Sequence, residues 1–339
     1  MSSSVINIDC AIEAHELDML LSSKKINYIH VSHKHIGGAD KNIIELSRNS
    51  KQIKELLIKL TNHGFMTYVL RDGVSSLVHH DAINNLWFPV KNKEYSISSG
   101  NVIYTYEDAD FSINKHLVVM FYPVAPNPNS SSLNRYFPSN FTSLKNYLSK
   151  NISILRIADV GGVSGAFYMN TKYLINNEEN IQSLIEEISD KNGIARENII
   201  LYGASKGGTG ALYHSLLGGY SSLCVDPILD DEHYLSSMND LHNINGIFPI
   251  TKKDKFADIL LPENINGFTT IITSPQSEQY KYIMPLLDVV RDRVQILNNI
   301  NPNILKHPDV APNSIHAILA ILNMFSFGVR SISEERVIM

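Results

Sequence analysis

The chain has 339 residues, of which 44% are hydrophobic and 19% are charged. This composition is typical of a globular protein that is large enough to bury a sizeable core. The formal net charge is only −5 at pH 7, whereas proteins that bind a nucleic-acid backbone usually carry a basic excess, so no nucleic-acid partner is expected.

The start of the chain, residues 1–9, lacks the basic segment and the apolar run of a signal peptide. No apolar stretch reaches the length of a membrane span. We therefore expect a cytoplasmic protein without a transmembrane segment. The two cysteines, Cys10 and Cys224, are too few for a disulfide framework, and Cys224 lies in an apolar run that indicates burial.

The first part of the chain predicts a small α/β unit of strand, helix and strand, at residues 27–32, 50–62 and 65–70. Apolar residues recur at helical spacing in the predicted helix, at Ile53, Leu56, Leu57 and Leu60. The polar segment 91–94 indicates a junction. We therefore divide the chain into an N-terminal unit, residues 1–92, and a larger domain, residues 93–339.

The larger domain alternates strand and helix patterns. Strands are predicted at 95–98, 102–106, 116–122, 152–157, 198–202, 222–226, 269–273 and 293–297. Helices are predicted at 180–191, directly after Ser205, and at 315–325. This order indicates a mostly parallel central sheet with helices on both faces.

The strongest local signal is the sequence Gly203-Ala-Ser205-Lys-Gly207, which joins an apolar strand to a helix rich in small residues. Gly-x-Ser-x-Gly in this context is a nucleophile elbow, in which a strained turn lifts the serine hydroxyl above the sheet. With the early strands closely spaced and the later ones separated by helices, the pattern predicts an α/β-hydrolase-like fold with Ser205 as nucleophile.

The general base should be a histidine near the end of the chain, because this fold orders its triad as serine, acid and histidine. His316 follows the last predicted strand and a proline-containing loop, and it opens the final helix, so we favour it. His307, on the same loop, is the competing candidate.

The acid that orients the histidine can be aspartate or glutamate. Glu278 is the only carboxylate in the loop after the seventh predicted strand, which is the usual position. Asp226 ends the sixth predicted strand and is the alternative. We favour Glu278 and keep Asp226 open.

The oxyanion hole should use the amide of Lys206, directly after the nucleophile, and a second amide from the loop after the third predicted strand. In that loop Pro123 and Pro126 have no N–H, so Val124 or Ala125 would have to donate. The loop lacks the His-Gly-Gly sequence of lipases, which argues against ordinary lipase chemistry.

Two other patterns have less specific meanings. The glycine-rich segment 159–168 could form a wall of the pocket or be an ordinary loop. The histidine pairs at 33 and 35 and at 79 and 80 have no cysteine or carboxylate partners at ligand spacing. We therefore interpret them as surface histidines and expect no metal site.

The elbow around Ser205, the segment 159–170 and the late His316 together resemble a family of bacterial capsular polysaccharide biosynthesis proteins of the XcbB/CpsF type. The resemblance covers residues 95–330. The elbow is also similar to that of the hydrolase-like component of the accessory secretion system for serine-rich adhesins. There a late glutamate and a late histidine complete the triad, which implies Glu278 as the acid here.

The resemblance implies a serine-dependent O-acetyltransferase that has no bound cofactor, uses acetyl-CoA as acyl donor and modifies a capsular polysaccharide or its precursor. Other capsule biosynthesis proteins are then expected partners, in a capsule assembly complex at the inner membrane. A carboxylesterase or deacetylase acting on an acylated carbohydrate would use the same residues. A non-catalytic scaffold of the assembly complex would keep only the fold, and the sequence leaves these alternatives open.

Overall fold

The computed structural model describes residues 4–23, 25–330 and 336–339. The first three residues of the expected leaderless N-terminus therefore lie outside the described residues. None of the helices in the described ranges combines the length and the apolar character that a membrane crossing requires. The strands form two sheets, one of four strands and one of nine.

The four-stranded sheet comprises β1 (Val5–Asp9), β2 (Tyr28–Ser32), β3 (Phe65–Arg71) and β4 (Val74–His79). Its order is β1-β2-β4-β3, with β1 parallel to β2 and the other pairs antiparallel. Three helices belong to this region: α1 (Ala14–Ser23), α2 (Ile43–Ser47) and α3 (Lys51–Asn62). The predicted strands β2 and β3 and the predicted helix α3 are confirmed, whereas β1 and β4 were not predicted.

The nine-stranded sheet comprises β5 (Ser96–Ile97), β6 (Ile103–Glu107), β7 (His116–Phe121), β8 (Ile152–Ile157), β9 (Ile199–Ala204), β10 (Ser221–Val225), β11 (Thr269–Thr273), β12 (Val294–Asn299) and β13 (Arg336–Ile338). Its order is β5-β6-β8-β7-β9-β10-β11-β12-β13, and every pair from β8 to β13 is parallel. The eight predicted strands are present, and their order is that of the α/β-hydrolase fold. The fold class predicted from the sequence is therefore confirmed.

Within the described residues, six more α-helices follow the N-terminal sheet: α4 (Phe88–Lys91), α5 (Asn177–Lys191), α6 (Lys206–Gly218), α7 (Lys252–Ile259), α8 (Tyr280–Leu287) and α9 (Ile315–Ser326). Alternate residues of β7 face two different apolar cores, as the two-residue period of a strand requires. Leu117 and Val119 pack in the core that includes α5 and α6. Val118 and Met120 pack in the core that includes α9. The large sheet thus has helices on both faces.

The core on the α9 side also includes Met66 of β3 and Val78 of β4. The N-terminal sheet therefore packs against the larger domain through apolar side chains. The division of the chain near residue 92 remains a prediction, and the predicted junction 91–94 coincides with the end of α4.

Candidate active site

The strand-to-helix turn at Ser205 has the conformation that the sequence predicts. Strand β9 ends at Ala204 and α6 begins at Lys206, and Ser205 between them has φ 55° and ψ −123°. A non-glycine residue in this backbone region is strained and is typical of functional sites. A Cβ atom on Gly203 would lie 2.2 Å from the carbonyl of Gly207. Glycine at that position is therefore required for the sharp turn.

The Ser205 hydroxyl is the first member of a chain of three hydrogen-bonded side chains. Its Oγ lies 2.7 Å from Nε2 of His307, and Nδ1 of His307 lies 2.6 Å from Oδ2 of Asp226. Because an ionised carboxylate can only accept, Nδ1 bears the proton and Nε2 accepts the hydrogen bond from the serine hydroxyl. This is the tautomer that a general base beside a serine nucleophile requires.

The carboxylate of Asp226 accepts a hydrogen bond from a hydroxyl group at each of its two oxygens. It lies directly after β10, has a positive φ of 44° and is 1% exposed. Its Oδ1 accepts a 2.6 Å hydrogen bond from the hydroxyl of Thr273, and its Oδ2 also accepts from the hydroxyl of Ser277. A buried carboxylate is costly unless it is hydrogen-bonded. These hydroxyls therefore stabilise the charge of Asp226 and aim it at the imidazole.

The structure corrects the choice of His316. This residue is exposed and lies in the first turn of α9. His307, the competing candidate, begins a short 3₁₀ turn, His307–Asp309, ahead of Pro308, and its side chain is only 10% exposed. The loop after β12 brings this turn over the elbow before α9 starts. Position along the chain alone could not separate two histidines that lie nine residues apart.

The choice of Glu278 as the acid is also wrong. Its Oε2 accepts a 2.7 Å hydrogen bond from the backbone N–H of His307, and the imidazole is hydrogen-bonded to Asp226 instead. Glu278 therefore fixes the loop that bears the histidine. The loop after β11 supplies the hydroxyl of Ser277 to Asp226, so the two carboxylates that the sequence left open have different tasks in one network.

The predicted oxyanion donors lie around Ser205. The first backbone hydrogen bond at the start of α6 runs from Thr209 N–H to the Ser205 carbonyl, so the amide of Lys206 is not used within the described helix. The loop with Val124 and Ala125 lines the same cavity as Ser205. Tyr168 Oη accepts the backbone N–H of Tyr122 at 2.5 Å and thus anchors the start of this loop. The role of these amides remains a prediction.

Sequence analysis missed the side chain of Lys206. It is fully buried beneath the elbow, with Nζ 2.7 Å from Oδ2 of Asp159, which is also buried. The Asp159 carboxylate accepts backbone N–H bonds from residues 166, 167 and 168. The only available signal was a lysine directly after the nucleophile, followed by an apolar helix.

The glycine-rich segment 159–168 is explained by this ion pair. A Cβ atom on Gly165, whose φ is 117°, would lie 2.3 Å from Oδ2 of Asp159 and 2.6 Å from Nζ of Lys206. The segment is buried throughout, and no residue of it lines the cavity above Ser205. It therefore supports the elbow, and of the two alternatives left open by the sequence, the pocket wall is not what the structure shows.

A cavity of about 810 Å³ opens above Ser205. Its walls come from the loop 123–128, the segment 233–242, the loop 306–312 and α9. His242 is a buried residue of the segment 233–242. Burial, together with nearby positive groups, holds its pKa well below the ordinary value. Its ring lies 4.0 Å from the ring of Tyr234, centroid to centroid. The His242 ring therefore presents a neutral, aromatic surface to the cavity at neutral pH.

The histidine pair at 33 and 35 also differs from expectation. His33 is fully buried and its Nε2 is 3.0 Å from the hydroxyl of Ser75, so it is not a surface residue. His35 lies beside Asp9 and Cys10, and their ligand atoms lie within 4.8 Å of one another, so these three residues could hold a metal ion. Sequence analysis missed this grouping because β1 and its pairing with β2 were not predicted. Burial and the charge of Asp9 raise the pKa of the Cys10 thiol, which disfavours the thiolate that binds metals.

No protein-family model and no curated protein matches this chain. Among solved structures, it is similar to a glycosylation-associated protein complex of Streptococcus agalactiae, at 15% identity and a TM-score of 0.45 over 67% of this chain. The chain spans less than half, 45%, of that chain's length.

The chain is also similar to the capsule O-acetyltransferase of Neisseria meningitidis serogroup A, at 15% identity and a TM-score of 0.46. That match covers 67% of this chain and 93% of the other. A fluorophosphonate-binding serine hydrolase of Staphylococcus aureus matches at 12% identity and a TM-score of 0.46, over 68% of this chain and 96% of the other. At these values no likeness assigns an activity to this chain.

Proposed function

We propose that this protein is a serine-dependent O-acetyltransferase that moves an acetyl group from acetyl-CoA to a hydroxyl of a capsular polysaccharide or its precursor. The observation that supports serine acyl chemistry is the chain of hydrogen bonds from Ser205 through His307 to Asp226, at 2.7 and 2.6 Å. The donor and the acceptor follow from the resemblance of the elbow region to capsule biosynthesis proteins.

In the first half-reaction, Ser205 Oγ attacks the thioester carbonyl carbon while Nε2 of His307 takes the hydroxyl proton. The negative charge that develops on the carbonyl oxygen is stabilised by the amide of Lys206 and by that of Val124 or Ala125. The carbon–sulfur bond then breaks, and the proton passes from His307 to the departing thiolate. Acetyl-Ser205 and free CoA result.

In the second half-reaction, a sugar hydroxyl gives its proton to His307 and attacks the acetyl carbonyl. The bond to Ser205 Oγ breaks, and His307 returns the proton to the serine. Asp226 stays ionised in both steps and stabilises the imidazolium. Its burial and its two hydroxyl donors are consistent with that role.

The lining of the cavity is that of a site for a small ligand or acyl group. Most of the side chains around Ser205 are apolar or aromatic, including Tyr202, Tyr234, Leu241 and Ile318. Its volume of about 810 Å³ is in the range of sites that bind small ligands.

A carboxylesterase or deacetylase acting on an acylated carbohydrate is the second candidate. The same three residues would act, with water in place of the sugar hydroxyl. The absence of a His-Gly-Gly sequence in the loop 123–128 argues against ordinary lipase chemistry but does not exclude water as the acceptor. A non-catalytic scaffold is disfavoured because the strained turn at Ser205 would then have no use. The proposed acetyltransferase works in the cytoplasm, with other capsule biosynthesis proteins as partners at the inner membrane.

The test is incubation of the purified protein with isotope-labelled acetyl-CoA and candidate capsule oligosaccharides, followed by mass spectrometry of both. We expect labelled acetyl esters on an oligosaccharide, and none with Ser205→Ala. Rapid hydrolysis of simple esters without acetyl transfer would replace the transferase by the esterase. Neither activity would support the scaffold.

A further inference from the structure

The wall of the cavity that the segment 233–242 forms belongs to an insertion between β10 and α7. We call this insertion, residues 228–250, the cap. Met238, Leu241 and His242 of the cap line the cavity above Ser205. The base of the cap is firmly held, since Asp231 and Lys252 form a buried ion pair at 2.6 Å. His233 and Tyr234 of the cap also line the cavity and lie next to this anchor, whereas Met238, Leu241 and His242 form an outer part that lies farther from Asp231 along the chain.

That outer part rests on the N-terminal unit. The guanidinium of Arg48 donates to the carbonyl of Asp240 at 2.8 Å and to that of Met238 at 2.9 Å. The amide of Asn239 donates to the carbonyl of Arg48 at 3.1 Å. A planar guanidinium that donates to two carbonyls at once fixes both the position and the orientation of the turn.

A second contact holds the same turn. Nζ of Lys54, on α3, lies 2.8 Å from Oδ2 of Asp240, whose side chain is 5% exposed. Oδ1 of Asp240 accepts the backbone N–H of Ile244 at 2.8 Å. One carboxylate therefore closes the turn and ties it to the N-terminal unit. Because the pair is largely shielded from water, it is worth more than an exposed ion pair.

The turn has three residues in the left-handed backbone region. Asn239, Asp240 and Asn243 have φ values of 49°, 54° and 51°. Asparagine and aspartate enter this region more readily than other non-glycine residues, so the local sequence favours a tight turn here. Within the described residues, Arg48 and Lys54 supply charged contacts to the turn from outside the cap.

We infer that the N-terminal unit is a clamp for the cap, and that Arg48 and Lys54 are positioning residues that hold Leu241 and His242 in the wall of the cavity above Ser205. The inference rests on the proposed function, because it takes this cavity to be the substrate site, and it deepens that function. The clamp makes residues of the N-terminal unit that do not touch the triad responsible for the shape of the substrate site.

Hydrogen exchange tests the clamp without any substrate. The variants are Arg48→Ala, Lys54→Gln and the double substitution, with Lys51→Ala as matched control because Lys51 is exposed and pairs with Glu55 on the same helix. In the double variant we expect amide exchange in the peptides that cover 238–246 to accelerate by about tenfold, with peptides over 199–210 unchanged. Unchanged exchange in 238–246 would overturn the clamp.

A labelling experiment measures binding and reaction at Ser205 separately. If Arg48 and Lys54 served only the stability of the fold, probe binding would not change selectively. A rhodamine-linked fluorophosphonate reacts with an activated serine, and its long reporter group has to lie along the cavity. We expect the double variant to bind the probe more weakly, with an apparent dissociation constant that is higher by about fivefold or more. The maximal labelling rate should stay within about twofold, because the triad is untouched. Arg48→Lys, which keeps the charge and loses the planar fork, should give part of the effect.

The labelling outcome also separates the clamp from the proposed function. If the maximal labelling rate changes and the probe's apparent dissociation constant does not, the clamp does not shape the cavity, and the inference is overturned. If Ser205 of the wild-type protein is not labelled, the proposed function fails, and the exchange experiment still decides whether the clamp exists.

Discussion

The floor and the cap of the cavity are built in different ways. The floor consists of the ends of parallel strands, and Ser205 and Asp226 are tied to neighbouring strands through backbone N–H bonds to Val225 at 2.8 Å and to Ile272 at 2.7 Å. Leu241 of the outer cap packs against a small apolar cluster that includes Phe167, and the turn beside it is tied to another region of the chain through Arg48 and Lys54.

This difference indicates a division of labour. Groups that move protons must be fixed to within about 0.5 Å, and strand ends in a buried sheet can do this. A wall that contacts the bound molecule tolerates movement and can be supplied by an insertion. We therefore expect substitutions in the floor to reduce chemistry or stability, and substitutions around the cap to alter binding.

The largest effect should come from replacing His307, and the same substitution at His316 provides the comparison. His307→Ala removes the group that we propose accepts the Ser205 proton, and we expect a loss of about 10⁴-fold to 10⁶-fold in the rate of acyl-enzyme formation. His316→Ala, at an exposed position on α9, should stay within about twofold of the wild type. Stopped-flow measurement of acylation by an aryl acetate compares them. Equal losses would restore His316 as a candidate base.

The next largest difference should lie between the acylation rates of variants at Asp226 and at Glu278. Asp226→Asn disturbs the tautomer of His307 and should lower the acylation rate by about 10⁴-fold. Glu278→Gln keeps an oxygen that can accept the His307 backbone N–H, so a loss of about tenfold or less is expected. The same acylation assay, with circular dichroism to verify folding, gives the order. A greater loss from Glu278→Gln would contradict the arrangement described here.

The buried ion pair below the elbow should contribute to stability. Lys206→Met leaves Asp159 without its ammonium partner, and removing one member of a buried pair costs about 3–5 kcal/mol of unfolding free energy. The matched substitution Lys51→Met removes an exposed pair and should cost less than about 0.5 kcal/mol. Urea denaturation measures both. Similar midpoints for the two variants would show that the floor does not depend on this pair.

A smaller effect should come from His214, which lies on α6 beneath the site. Burial lowers its pKa to about 4, and its Nε2 lies 2.8 Å from the carbonyl of Tyr168. Because the unfolded chain binds this proton more readily, stability is retained above the unfolded pKa and is lost as the pH falls from about 6.5 towards 4. The contribution of this group to the loss between pH 7 and pH 5 is about 2 kcal/mol.

Urea denaturation at those two pH values tests the role of His214. In His214→Asn, which cannot take up a proton, the loss of unfolding free energy between pH 7 and pH 5 should be smaller than in the wild type. A pH dependence identical to that of the wild type would exclude His214 as the source.

The sequence predicted the parts of the molecule that depend on local pattern. Eight of the nine described strands of the large sheet, all but β13, and the elbow at Ser205 follow from apolar periodicity and from glycine spacing. The partners of Ser205 depend on the path of the loops after β10 and β12, which no local pattern encodes. Both His307 and Asp226 were competing candidates, but only the folded loops bring them to the hydroxyl. The cap's attachment to Arg48 joins residues about 190 positions apart, and periodicity cannot reveal such a contact.

The central claim is that Ser205 is an activated nucleophile, and it can be tested without knowing the substrate. The purified protein is treated with a fluorophosphonate, digested, and analysed by mass spectrometry at the peptide level. A single adduct on Ser205 is predicted, absent from Ser205→Ala and strongly reduced in His307→Ala. No adduct, or an adduct on another serine that persists in Ser205→Ala, would contradict the account.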